Sequence, residues 1–347
     1  MKNGDLVQTN GAVKRFLTLG FPWETADPFL FLVHHDDHYP AGNDKLGPKA
    51  SLKGRDIGND FAGIDGWRMY HGDTVPGFPQ HPHRGFETVT VVRKGVIDHS
   101  DSLGATARFS GGDAQWLTAG KGISHAEMFP LINENDPNPT DFFQIWLNLP
   151  KAGKMVAPYF SMQWGEKVPK VSFKDPQGRV TEVTLVAGEL AGQKALPPPP
   201  DSWASHPDSD LAIWTIKMAP GAKWALPKAK KGTNRTIYFF KGDSIQVGGT
   251  KVKNRQGVEL VPDVEVLLEN GESEGELLLL QGRPIGEPVA KYGPFVMNTM
   301  QEIQQAFEDY QRTQFGGWPW KADDPVHART ETRFAKRPDG KVERPTS

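Results

Sequence analysis

Two short pairs of residues, His81-Pro82-His83 and His125-Ala126-Glu127, have the types and the spacing of metal ligands. In an extended strand successive side chains alternate faces, so residues two apart project together and each pair can aim two donors at one point. Three imidazoles and one carboxylate converging from neighbouring strands would hold a divalent transition ion, because imidazole suits iron, copper, nickel and zinc while a carboxylate adds charge and hardness. A lone His-x-His in a chain with ten histidines is ordinarily a half-buried polar feature. The second pair changes that reading. It follows Gly112-Asp113-Ala114-Gln115-Trp116-Leu117-Thr118-Ala119-Gly120-Lys121-Gly122, a glycine-punctuated run written like strand, hairpin and strand. The competing arrangement is a hydrogen-bonded polar cluster with no ion.

The elements that must position these donors read as β-structure. Phe86-Glu87-Thr88-Val89-Thr90-Val91-Val92 is rich in β-branched and aromatic residues, and the turn at Arg93-Lys94-Gly95 leads into Val96-Ile97-Asp98-His99. His99 is read as an ordinary strand histidine. A further strand runs through Phe109, and Asp141 to Leu149 closes the set before Pro150. Upstream, Phe29 to Val33 is an apolar run entered through Asp27-Pro28, and the ligand-dense His34-His35-Asp36-Asp37-His38 that follows reads as a polar surface segment ahead of a long loop. Beyond residue 180 the strand-and-turn style repeats, at Leu211 to Met218, Thr236 to Phe240, Val264 to Leu268 and Glu276 to Leu280. The two halves look like one architecture used twice. Pro197 to Pro200 cannot join a sheet interior and reads as a linker or surface loop. The one helix expected is near the end, where Thr299 and Glu302 are spaced as a capping box and Met300, Ile303, Phe307 and Tyr310 share a face. From Gly316 on, the composition turns charged and proline-rich, so an extended tail is expected.

Composition bounds the function. A chain of 347 residues is long enough for two domains of ~150 residues each, and 37 glycines with 29 prolines favour short strands joined by tight turns over helices. A net charge of -2 leaves no basic footprint, so direct nucleic acid binding is not expected. The absence of cysteine removes disulfides, thiolate metal sites and thiol nucleophiles together. Met1 to Leu6 has no apolar stretch of the secretory kind and no long apolar run is present to span a membrane. A soluble, cytoplasmic protein is expected, and Asn234-Arg235-Thr236 is accordingly a chance sequon.

The stretch from His81 through Val89, together with Gly112 through Met128, closely resembles the signature of the pirin family. The likeness extends to Asp27-Pro28-Phe29-Leu30, to Lys154-Met155-Val156 and to Gly293 through Thr299, and covers most of residues 12 to 315. The resemblance implies an all-β bicupin: two double-stranded β-helix (jelly-roll-like) domains with a short C-terminal helix. Residues 1–150 would form the metal-binding cupin, 151–315 a cupin without a metal site and 316–347 the charged tail. It implies one metal, Fe2+ foremost with Mn, Ni, Cu and Zn as alternatives, held by His81, His83, His125 and Glu127. The segment from His34 to His71 is longer than in shorter family members and would make a lid or rim.

Pirin-like proteins are associated with flavonol dioxygenase activity, so the partners implied are a small aromatic substrate such as quercetin, or a related enediol or catechol, and dioxygen. Glu127 then serves as both ligand and catalytic base toward the substrate hydroxyl. The alternative is a metal- or redox-dependent regulator that binds a transcription factor or metabolic enzyme. A hydrolase or isomerase ranks third, since no nucleophile elbow, phosphate loop or triad spacing is present.

Overall fold

The computed structural model describes residues 11–345, so the N-terminal stretch Met1 to Leu6 lies outside it, as does the end of the tail. Among the described residues the chain forms 26 strands and one α-helix. Two compact units are present, and they do not follow the linear order of the chain.

One unit gathers the described residues up to Val33, Trp146–Asn148 and Lys167–Gly286. Its larger sheet has seven strands in the order Val13–Thr18, Gln256–Leu260, Asn234–Lys241, Gly275–Gly282, Ala212–Met218, Val180–Ala187 and Lys170–Lys174. A second sheet, Lys223–Leu226, Val266–Asn270, Ser244–Val247 and Thr250–Lys253, shares its core, in which Val183, Trp214, Ile237, Leu279, Trp224 and Leu268 are buried together. The N-terminal strand is an edge of this unit: Phe16 pairs with Val258. A division at residue 150 therefore does not describe the sheet, because hydrogen bonding assigns a strand to whichever edge it completes, whatever its distance along the chain.

The other unit comprises His34–Ile145, Leu149–Glu166 and the chain from Glu287 onward. Its six-stranded sheet runs Val342–Glu343, Phe334–Lys336, Thr106–Ser110, Val96–Asp101, Ile123–Met128 and Gly77–His83. A five-stranded sheet runs Tyr159–Gln163, Ala114–Thr118, Phe86–Lys94, Asn138–Asn148 and Phe29–Tyr39, the last two contributing residues 138–145 and 34–39 to this unit. Ile97, Phe109 and Ile123 of the first sheet pack with Leu117, Phe142 and Phe160 of the second. Each unit is thus a sandwich of two antiparallel sheets, the double-stranded arrangement expected of a cupin.

Three local readings change. The segment His34 to His38 is not a surface loop but the second half of the strand Phe29–Tyr39, with His35 and Asp37 buried and Asp36 and His38 outward. Period-two alternation buries the polar pair because the Tyr70 hydroxyl meets both, 2.7 Å from His35 Nδ1 and donating over 2.6 Å to Asp37 Oδ2. The helix Met300–Thr313 has its capping box, Thr299 with Glu302, but Met300 is exposed and Ala306 fills the apolar face beside Ile303. The tail is extended yet integral to the sheet: Phe334–Lys336 pairs with Thr106–Ser110, and Arg108 donates to the carbonyls of His327, Ala328 and Glu331.

Candidate metal centre

His81, His83, His125 and Glu127 lie on adjacent antiparallel strands, Gly77–His83 and Ile123–Met128. Phe78 pairs with Glu127 and His81 with His125, so two residues of one strand, Pro79 and Gln80, are matched to one of the other, Ala126. That bulge matters. Without the extra residue Gln80 would face His125, and His81 would point to the opposite side of the sheet. Gly77 makes the approach possible, since a Cβ there would lie 2.5 Å from the Glu127 carbonyl and its φ is 141°. At the far end of this strand pair, Lys154 Nζ donates to the Gly85 carbonyl at 2.8 Å, and Arg84 donates to the Lys121 carbonyl at 2.6 Å and pairs with Asp309 at 2.9 Å.

Ligand-capable nitrogens of His81, His83 and His125 all fall within 4.8 Å of one another. His81 Nδ1 donates to the Pro79 carbonyl at 2.8 Å, which sets the tautomer and leaves Nε2 with its lone pair. His83 Nδ1 is directed at the Pro294 carbonyl, 3.4 Å away. Burial pushes the imidazolium form of His81 down to about 4 and those of His83 and His125 well below the ordinary value, with neighbouring histidines adding to the shift at His83 and His125. All three rings are neutral at pH 7, the protonation state that coordinates. His125 is fully buried, and neither of its ring nitrogens has a hydrogen-bond partner among the described residues. An imidazole stranded in this way costs several kcal/mol, on the order of 1–3 per unmet group, unless something beyond the chain meets it. A metal ion does so, and the donor set fits one.

Glu127 stands beside this trio and is not part of its tight grouping. Its Oε2 is 4.0 Å from His125 Nε2, Thr90 Oγ1 donates to Oε1 at 3.0 Å and Gln144 Nε2 donates to Oε2 at 2.6 Å. Burial raises its pKa, while His99, Thr90 and Gln144 pull the other way. His99 is the neighbour that reading the chain in order misses. It pairs across the sheet with Glu127, its ring centroid is 5.5 Å from that of His125, and its buried Nδ1 has no hydrogen-bond partner among the described residues. Only the register of Val96–Asp101 on Ile123–Met128 brings it there, although the turn at Gly95 and the strand after it were visible in the sequence. Gln115, buried, faces Thr90 across the second sheet with neither amide atom hydrogen-bonded, adding a polar group to the same interior.

Residues 14–147 match the family described as Pirin, and residues 213–316 match the Pirin C-terminal cupin domain. The chain belongs to the pirin family. Human Pirin is 36% identical over 253 residues, covering 71% of this chain and 80% of its own. A Pseudomonas aeruginosa protein, provisionally named as a quercetin 2,3-dioxygenase, is 34% identical over 239 residues, which is 69% of this chain and 79% of that one. Among solved structures, a quercetin 2,3-dioxygenase from Acinetobacter baumannii superposes with a TM-score of 0.66 at 27% identity, covering 91% of this chain and 96% of that one. In this pirin-family chain the cluster of His81, His83 and His125 is the one three-donor group found among the described residues. No helix among them is long and apolar enough to cross a membrane.

Proposed function

We propose that this protein is a metal-dependent dioxygenase acting on a flavonol such as quercetin, or on a related enediol or catechol. The carrying observation is the convergence of three neutral imidazoles, one with both ring nitrogens unmet, on a point inside a cupin. The names of two relatives point to the same chemistry. In this reading His81, His83 and His125 hold one divalent ion, Fe2+ foremost, and Glu127 completes the set from its position beside His125. When bound, such an ion supplies Lewis acidity and redox chemistry toward dioxygen.

The chain's own residues do the rest. The Pro79 carbonyl keeps the His81 proton on Nδ1, so the ring presents a lone pair without a tautomeric penalty. Glu127, with its pKa raised by burial, takes the proton of the substrate hydroxyl, and Thr90 and Gln144 hold its carboxylate in place while it does so. The test is flavonol consumption with matching oxygen uptake by iron-loaded protein. Glu127→Gln keeps the side chain's size and removes its basicity, so turnover should fall by at least ~100-fold even where metal is retained. Full activity in that variant would exclude Glu127 as the base. No turnover of any flavonol or catechol by fully loaded protein would overturn the enzyme reading in favour of a regulator.

A further inference from the structure

The interior of the second cupin carries a charged side chain, Arg235, two of whose nitrogens meet no hydrogen-bond partner among the described residues. Arg235 lies on the strand Asn234–Lys241, two residues before Ile237 and four before Phe239, both of which belong to the core. Alternation therefore turns Arg235 to that same inner face. It is 2% exposed, and its Nε and Nη1 have no hydrogen-bond partner among the described residues. Directly across the sheet is Gln281, whose Nε2 donates to the Asp210 carbonyl at 3.0 Å, fixing the amide's orientation, while its Oε1 accepts no hydrogen bond from the described residues. A buried donor pair and a buried acceptor thus sit side by side, both unsatisfied. Native interiors rarely leave such groups empty-handed.

Both side chains line a cavity of about 830 Å³. Trp214 lies on its wall, one strand from Gln281 and two residues along from the Ala212 that pairs with it. The rim carries Lys194, Lys228 and Lys230 against Glu189 and Asp210. Among the described residues no hydrogen bond joins Asp210 to Arg235: Asp210 Oδ2 accepts from the Lys230 amide at 2.9 Å and the Thr233 hydroxyl at 2.7 Å, and its charge acts on the guanidinium only through space. Burial pulls the Arg235 pKa down to about 10, so the guanidinium remains charged at neutral pH. Histidine is missing from residues 207 to 326, so the inner face has no imidazole cluster to offer a metal. The chemistry on offer is a cation, an adjacent hydrogen-bond acceptor and an aromatic wall.

We propose that this cavity binds a small hydroxylated organic acid. Its carboxylate meets the Arg235 guanidinium, its hydroxyl donates to Gln281 Oε1 and its apolar body lies against Trp214. An α-hydroxy acid carrying a ring, such as mandelate, presents all three groups in one small molecule. The same holds for no inorganic anion, which lacks the apolar part.

The experiment titrates mandelate, its uncharged amide mandelamide, the hydroxyl-free phenylacetate and inorganic phosphate into the whole chain, read by calorimetry. Mandelate should bind saturably at one site per chain. Mandelamide should bind at least ~10-fold more weakly for loss of the charge-assisted bond, and phenylacetate ~5-fold more weakly for loss of one neutral bond. Arg235→Met should abolish mandelate binding and leave the metal content at the His81 cluster unchanged. Equal binding of mandelate and mandelamide, or undiminished binding to Arg235→Met, overturns the proposal, as does saturable phosphate binding with mandelate silent. Should Arg235→Met fail to fold, Gln281→Leu carries the test, because it must bring mandelate and phenylacetate to equal affinity, and a persisting difference refutes the assignment.

Discussion

Lys154 offers a test of how the histidine-bearing strand pair is anchored. Its side chain is 1% exposed, and its Nζ donates to the Gly85 carbonyl at 2.8 Å and to that of Val296 at 3.3 Å. Burial lowers its pKa from 10.5 to about 8. Between those values the unfolded chain binds the proton that the folded protein has shed, so stability must rise with pH through this window and be lowest below pH 8. At 1.36 kcal/mol per pKa unit the full effect is about 3 kcal/mol, of which about 2.5 kcal/mol is recovered between pH 7 and pH 10. Lys154→Met keeps the apolar stem and removes the titration. Urea unfolding of both proteins at several pH values then isolates the term, because every other lysine and tyrosine titrates in both. The stability difference between them should shift by about 2–3 kcal/mol in favour of the wild type as pH rises from 7 to 10. Parallel pH profiles would refute the claim that a charged ammonium is buried against these carbonyls.

Elemental analysis should find about one divalent metal per chain, since one three-histidine cluster is present among the described residues, and His81→Ala and His125→Ala should each lose it. Unchanged content in both would remove the site. Deleting residues 317–347 strips Arg108 of three carbonyl acceptors and Asp113 of its Arg333 partner, and leaves Thr106–Ser110 as a bare edge. A loss of at least ~3 kcal/mol is expected, checked as a fall in Tm, and an unchanged Tm would show the tail to be dispensable. Tyr70→Phe removes the hydroxyl shared by His35 and Asp37 and should cost about 2–3 kcal/mol in urea unfolding. Because that hydroxyl opposes the burial that holds Asp37 at about 6, the Asp37 pKa should rise further in the variant, and a fall would contradict the hydrogen-bond assignment.

Much of the molecule is legible along the chain because it depends on neighbours in sequence. The pairing of His81 with His83 and of His125 with Glu127 follows from a two-residue period. The strand character of Phe86–Lys94, the capping box at Thr299 and Glu302, and the want of histidine from residues 207 to 326 need no more than local propensity and counting. What the chain could not disclose is nonlocal. The bulge between Phe78 and His81 decides which face His81 takes, and it exists only against the partner strand. Register alone sets His99 opposite Glu127 and Gln281 opposite Arg235. Hydrogen-bonded edges recruit Val13–Thr18 to one cupin and Phe334–Lys336 to the other across most of the chain's length. Burial, which makes the three imidazoles neutral and leaves both ring nitrogens of His125 and the Nε and Nη1 of Arg235 without hydrogen-bond partners among the described residues, is a property of what the tertiary fold packs around a residue, and no window of sequence contains it.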